Sequence, residues 1–254
     1  MLSFNQTNTD VLPSTEEMAK DPGLRKFMLG IYQKMALGLV LTAIVSYAVI
    51  KSEFMLGLLY TFGITADGRT VLTGYTPLGW IAVFAPMGLS FISGMFMQKL
   101  DAAVSGFFYW LFVAIMGISL ASIAFMYTGE SIARVFLITA IAFGGLSLIG
   151  YTTRVNMSGW RTFLYMGVLG LIAAGIANIF FQSSMVSLIT AVIGVLLFSA
   201  LIAYQTQSLK ATYYEMPGLS DRQLAALTYI GALGLYINFI NLFLSLLRLF
   251  GSRD

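Results

Sequence analysis

The chain has 254 residues, of which 58% are hydrophobic and 10% charged, with a mean hydropathy of +0.85. Soluble domains carry roughly 25% charged residues, so fourteen Lys+Arg and eleven Asp+Glu argue against a soluble monomer and for an integral membrane protein. With no Cys and no His, the chain has no disulfide, no thiolate or imidazole metal ligand, no cysteine nucleophile and no Ser-His-Asp triad, and its net charge of +3 bears on membrane orientation rather than nucleic acid.

Residues 1–24 are polar, with Asp10, Glu16, Glu17, Lys20 and Asp21 among them. They lack the apolar core of a cleavable signal and form a separate cytoplasmic tail, partly disordered, ahead of a membrane domain over 25–254. Ser14-Thr15-Glu16-Glu17 resembles a capping box, with disorder an equal reading. Asp21-Pro22 is the better helix start, an acceptor followed by proline in the first turn. A crossing needs about 20 mostly apolar residues. Seven stretches qualify: Leu29–Ile50, Pro77–Met97, Ser105–Tyr127, Ile132–Gly150, Thr162–Phe181, Met185–Gln205 and Ala225–Leu249. In the first, Lys34 lies one turn in and is expected to snorkel to the headgroups. The last is interrupted by Thr228, Asn238 and Asn241, and is expected to start late or break. The expected fold is an all-α bundle of seven membrane helices.

The long connection, 51–76, contains Asp67-Gly68 between β-formers, which suggests a two-residue hairpin turn; an irregular loop is the other reading. With the N-terminus inside, Lys20, Arg25, Lys26, Lys34, Lys99, Arg154, Arg161, Lys210 and Arg222 fall on the inner side. Lys51, Arg69, Arg134, Arg248 and Arg253 fall outside, and this bias favours N-in, C-out.

None of the acidic residues lies inside a predicted span, which argues against a proton-coupled pump or an intramembrane aspartyl protease. Nucleotide-binding and nucleophile-elbow motifs are missing, so the expectation is no enzyme, no catalytic residue and no cofactor. What remains is amide and glycine patterning. Gly231, Gly234, Asn238, Asn241, Ser245 and Arg248 recur at spacings of 3 and 4, one face of the last helix. Such a seam should face protein, either as helix packing or as the lining of an ion or water path. Gln205, toward the inner end of the sixth span, is within hydrogen-bonding reach of Asn238 across the helices; an interfacial residue reaching water is the other reading. Asn178, beside Ala173, Ala174, Gly175 and Ala177, is expected to pack against another helix through that small face.

Tyr204-Gln205-Thr206-Gln207, Leu235-Tyr236-Ile237-Asn238-Phe239-Ile240-Asn241 and Leu247-Arg248-Leu249-Phe250-Gly251 resemble the Bax inhibitor-1 family in its bacterial YccA-like branch. Gly150-Tyr151-Thr152-Thr153-Arg154, followed by Ser158-Gly159, is similar to the family's fourth loop. The resemblance covers Leu24 to Arg253, with the 51–76 loop longer than the family leads one to expect. It implies a seven-helix fold with the last helix central and wrapped by the other six, in the bacterial inner membrane. It also implies a pH-sensitive calcium leak, and links bacterial members to an FtsH-type membrane protease. The family's paired aspartate sensor falls at Gln205 and Asn238, and a third family acid at Asn156, so all three acids are amides here. Two neighbouring carboxylates share a proton. Gln and Asn are always neutral and imitate that protonated pair. Calcium as a transported ion would therefore be bound weakly. The implied partners are the lipid bilayer and the FtsH-type protease; the oligomeric state stays open.

Overall fold

The computed structural model describes residues 21–64, 70–97, 100–153 and 155–252. The Ser14–Glu17 capping motif and the Asp67-Gly68 turn lie outside those residues. Helix α1 (Pro22–Lys51) starts at Asp21, whose Oδ1 accepts from the N–H groups of Gly23 (2.7 Å) and Leu24 (3.2 Å). The helix thus begins seven residues before its apolar run, because the cap and Pro22 set the start, and Leu24, Phe27 and Met28 are buried in the added turns.

The 51–76 connection is ordered where described. Ser52 ends α1 and caps the short helix α2 (Glu53–Leu59). Strands β1 (Tyr60–Ile64) and β2 (Thr70–Tyr75) then pair antiparallel from Tyr60↔Tyr75 to Ile64↔Thr70, with an irregularity at Thr61/Phe62. A lone hairpin is marginal in water. This one is held by rings: Tyr60 meets Tyr75 and Phe125, and Phe62 also meets Phe125.

The remaining helices are α3 (Pro77–Phe96), α4 (Ala102–Leu120), α5 (Gly129–Thr152), α6 (Arg161–Phe181), α7 (Ser184–Glu215) and α8 (Asp221–Phe250). A 3-10 turn, Ala121–Phe125, extends α4, and another, Ser158–Trp160, precedes α6. All but α2 are long and apolar enough to cross a membrane, giving seven candidate spans among the described residues. Successive spans alternate in direction. One end of the bundle, the tail end, carries the start of α1; the other, the hairpin end, carries β1 and β2.

Helix α8 is the core. In its apolar window 72% of residues are buried, against at most 33% in any other span. It neither starts late nor breaks. Ser220 and Gln223 form a capping box at its start. Thr228 Oγ1, Asn241 Nδ2 and Ser245 Oγ each donate to the carbonyl four residues back, so these polar side chains are satisfied by the helix's own backbone. The wrapping is less complete than the resemblance implies. Helices α1, α4, α5 and α7 pack closely on α8, whereas α3 packs chiefly on α4 and α6 on α7.

That outer position of α6 changes the reading of Asn178. Gly175 has no neighbour that an added Cβ would meet and Ala173 is exposed, whereas half-buried Ala174 lines a gap against Val186 and Thr190 of α7. Asn178 Oδ1 instead accepts from the Ser183 N–H (2.9 Å) and closes the corner into α7. At the hairpin end, Ser252 pairs with the start of α5, its N–H donating to Ser131 Oγ (2.9 Å) and its carbonyl accepting from the Thr128 N–H (3.2 Å).

Candidate functional site: an amide pair on the central helix

Asn238 Nδ2 donates to Gln205 Oε1 at 2.5 Å, joining α8 to α7 inside the bundle. Asn238 is 8% exposed. One turn before it, Gly234 supplies the space: a Cβ there would fall on the Gln205 carboxamide. Only a residue without a side chain lets that amide lie flat against α8.

The rest of the seam divides. Gly231 fits against Leu209 of α7 and Ile31 of α1, and Ser245 sits against Gly194 of α7. Asn241 bonds within its own helix, and Arg248 is exposed at the end. Four of the six positions thus face helix neighbours. Asn156 is not drawn to the pair by any hydrogen bond; its Oδ1 accepts from the Ser158 N–H (2.9 Å) and turns the α5–α6 loop. Gln207 fastens that loop to α7, accepting from the Met157 N–H (2.8 Å) and donating to the Val155 carbonyl (2.7 Å).

Sequence reading missed two features. The sequence puts Lys210 on the inner side, beyond the sixth apolar stretch. It lies on α7 because that helix runs ten residues past Gln205, and it is 5% exposed. Its Nζ donates to the Tyr151 carbonyl in the last turn of α5 and lies 5.2 Å from the Tyr151 ring centroid. A cation there satisfies a helix C-terminus. The five residues from Gln205 to Lys210 amount to about 7.5 Å along the axis. The signal was present as Gln207 and Lys210, three apart and so on one face.

The second feature is a tie on the other side of α8. Tyr236 OH lies 2.7 Å from Thr42 Oγ1, which also reaches the Gly38 carbonyl (3.0 Å), and Tyr109 OH donates to the Lys34 carbonyl (2.7 Å). Tyr236 and Asn238 point about 200° apart around the helix, so α8 is held by hydrogen bonds from opposite sides. Lys34 finds a ring, its Nζ 4.8 Å from the centroid of Tyr229.

Among the described residues every carboxylate sits at a helix end: Asp21, Glu53, Asp101, Glu130, Glu215 and Asp221. No group of three or more metal-ligating side chains occurs among them. Asp21 is the one acid tied across the tail end. Desolvation pushes its carboxyl up, but hydrogen bonds from the Leu24 N–H, Tyr214 OH (2.9 Å) and the Gly23 N–H outweigh that and hold it below the ordinary range.

An all-α bundle with seven membrane-spanning helices, closed around a polar-seamed last helix, is a multi-pass membrane protein. The profile of the family described as "Inhibitor of apoptosis-promoting Bax1" matches residues 24–254. The chain belongs to the Bax inhibitor-1 family. It is 48% identical over 255 residues to an uncharacterized protein of Caulobacter vibrioides, covering 100% of this chain and 99% of that one. It is 35% identical to an uncharacterized protein of Rickettsia prowazekii over 253 residues, 100% of this chain and 99% of the relative. It is also 36% identical to the inner membrane protein YbhL of Escherichia coli over 231 residues, 91% of this chain and 93% of that protein.

Proposed function

We propose that this chain is a Bax inhibitor-1-type leak protein for cations, calcium foremost, in a bacterial inner membrane, and that its amide pair holds it shut without a proton switch. The observation that carries this reading is the 2.5 Å hydrogen bond from Asn238 to Gln205, between the central helix and α7. In the family resemblance those two positions are aspartates, and a protonated aspartate pair makes the same kind of contact. An amide pair makes it at every pH, because neither group titrates. Calcium favours anionic oxygens, so the pair offers it little. Lys210 adds a fixed positive charge on the same helix, which opposes a cation there.

In this reading the N-terminus is cytoplasmic, the C-terminus is on the far side, and the protein carries no catalytic group and no cofactor. The test is calcium flux into proteoliposomes made with purified protein alone. Low flux, flat between pH 6 and 8 and rising when both amides are replaced by aspartate, is the expected result; strong pH gating in the parent overturns it.

A second reading is a non-conducting protein that acts by binding, as a modulator of an FtsH-type membrane protease. Asp21, at the root of the polar N-terminal segment, accepts a hydrogen bond from Tyr214 of α7, which couples that segment to the helix bearing Gln205. Zero flux in both the parent and the double aspartate variant favours this reading.

A further inference from the structure

Helices α1 and α5 approach each other in the tail half, where Tyr32 meets Phe143 edge-on at 6.3 Å. Toward the hairpin end they separate, each packing on α8 rather than closely on the other. The gap is a cavity of about 240 Å³, far above the ≈ 30 Å³ share of one water. Ala43 and Tyr47 of α1, Ile132 and Phe136 of α5, and Ile240 and Phe243 of α8 border it. Tyr47 (63% exposed) and Phe136 (40%) form open lips, so the gap faces the bilayer sideways. The hydroxyl of Thr42, at its edge, is already bonded to Tyr236. Ser46 adds one more hydroxyl to an otherwise apolar lining, so a water would find few partners there, whereas a hydrocarbon chain needs none.

The mouth has a charge. Ala43, Tyr47 and Lys51 stand four residues apart and so form one stripe down α1. That stripe runs about 12 Å from the ammonium into the gap. Lys51 Nζ lies 5.6 Å from the Tyr47 ring centroid. Among the described residues no carboxylate lies within ion-pair distance of it, and the ion pair there is Arg134–Glu130 on α5. A cation at the helix end with no ion pair among the described residues, an aromatic one turn further in and an apolar slot below match the parts of an anionic lipid in order.

We propose that the α1–α5 crevice is a binding site for one anionic phospholipid, its acyl chain between Ala43 and Phe136 and its phosphate on Lys51. Occupation fills the separation between the two helices and braces both against α8.

The test uses the full chain in phosphatidylcholine nanodiscs doped with phosphatidylglycerol carrying a diazirine in its acyl chain, with adducts mapped by mass spectrometry. Adducts should concentrate on 43–50 and 132–136, above those on the exposed α6 residues Phe163 and Phe180. Ala43→Trp fills the slot and should remove the crevice adducts while leaving α6 adducts unchanged. Ile132→Trp fills it from the other wall, should one variant fail to fold. Lys51→Glu should lower crevice labelling by phosphatidylglycerol about fivefold or more, and leave labelling by the matching phosphatidylcholine probe unchanged. Adducts spread evenly over α1, α5 and α6, or crevice adducts indifferent to Trp filling and to Lys51→Glu, overturn the proposal.

Discussion

Gly234 of the central helix leaves the space that the Gln205 carboxamide of α7 occupies. The amide pair is therefore a three-residue arrangement. Asn238 supplies the donor, Gln205 the acceptor, and Gly234 the room for them to meet.

Substitution at the glycine should accordingly be worse than substitution at the amide. Asn238→Leu removes one partner and leaves Gln205 partly unsatisfied, a loss of about 1–3 kcal/mol. Gly234→Leu drives a side chain into α7 and should lower the melting temperature in detergent further than Asn238→Leu does. An unchanged melting temperature for Gly234→Leu would mean that α8 and α7 are not apposed at this level.

The pair's chemistry is tested by Gln205→Asp with Asn238→Asp. The parent should show little change in calcium flux between pH 6 and 8, since neither amide titrates. The double variant should show flux that rises with pH, as the shared proton leaves and the carboxylates repel. Each single variant should respond more weakly, lacking the like-charge coupling. A folded double variant with flat, parent-like flux would falsify a gate at these positions.

Lys210 should matter to both stability and conduction. Lys210→Met leaves the Tyr151 carbonyl without its donor and should destabilise the protein by about 1–3 kcal/mol. Lys210→Gln keeps a donor, and in the double aspartate background it should raise calcium flux by removing a nearby positive charge. Equal flux with Lys and Gln would place the cation path away from this part of α7.

At the tail end, deletion of residues 1–20 keeps the Asp21 cap and should leave the melting temperature unchanged; in the protease-binding reading it should abolish co-purification with the protease. Asp21→Asn tests the cap itself. The folded carboxyl sits below its ordinary value of 3.8, so its contribution is present above that pH and fades as pH falls through the lower folded value. Parent and variant should differ in melting temperature at neutral pH, and the difference should shrink as pH falls below 3.8 and vanish below the folded carboxyl's own value. A difference that does not shrink at all as pH falls below 3.8 would show that the carboxylate charge is not what holds α1 to Tyr214.

The seven spans, the Asp21-Pro22 start and the family were legible because hydropathy, capping chemistry and contiguous motifs are local signals. The Gln205–Asn238 contact was legible too, as two amides with nowhere in lipid to go. What escaped was set by neighbours. Asn178 looked like a packing residue, but α6 lies outside, so its amide turned to the corner. Asn238 and Asn241 looked like a break in α8, but one found α7 and the other its own backbone. Lys210 looked like a loop cation because the apolar run ends before the helix does.

The helix that fills the middle of the bundle also follows the other six spans in chain order. Until Ser220 and the residues beyond it leave the ribosome, α1, α4, α5 and α7 lack the surface they share. The membrane must then hold α1, α4, α5 and α7 around an unfilled axis, with Gly194 and Gln205 turned toward it. Closure of this bundle therefore waits for α8. A nascent chain stopped short of α8 would present a polar-lined cleft to lipid, the kind of surface that membrane quality control removes.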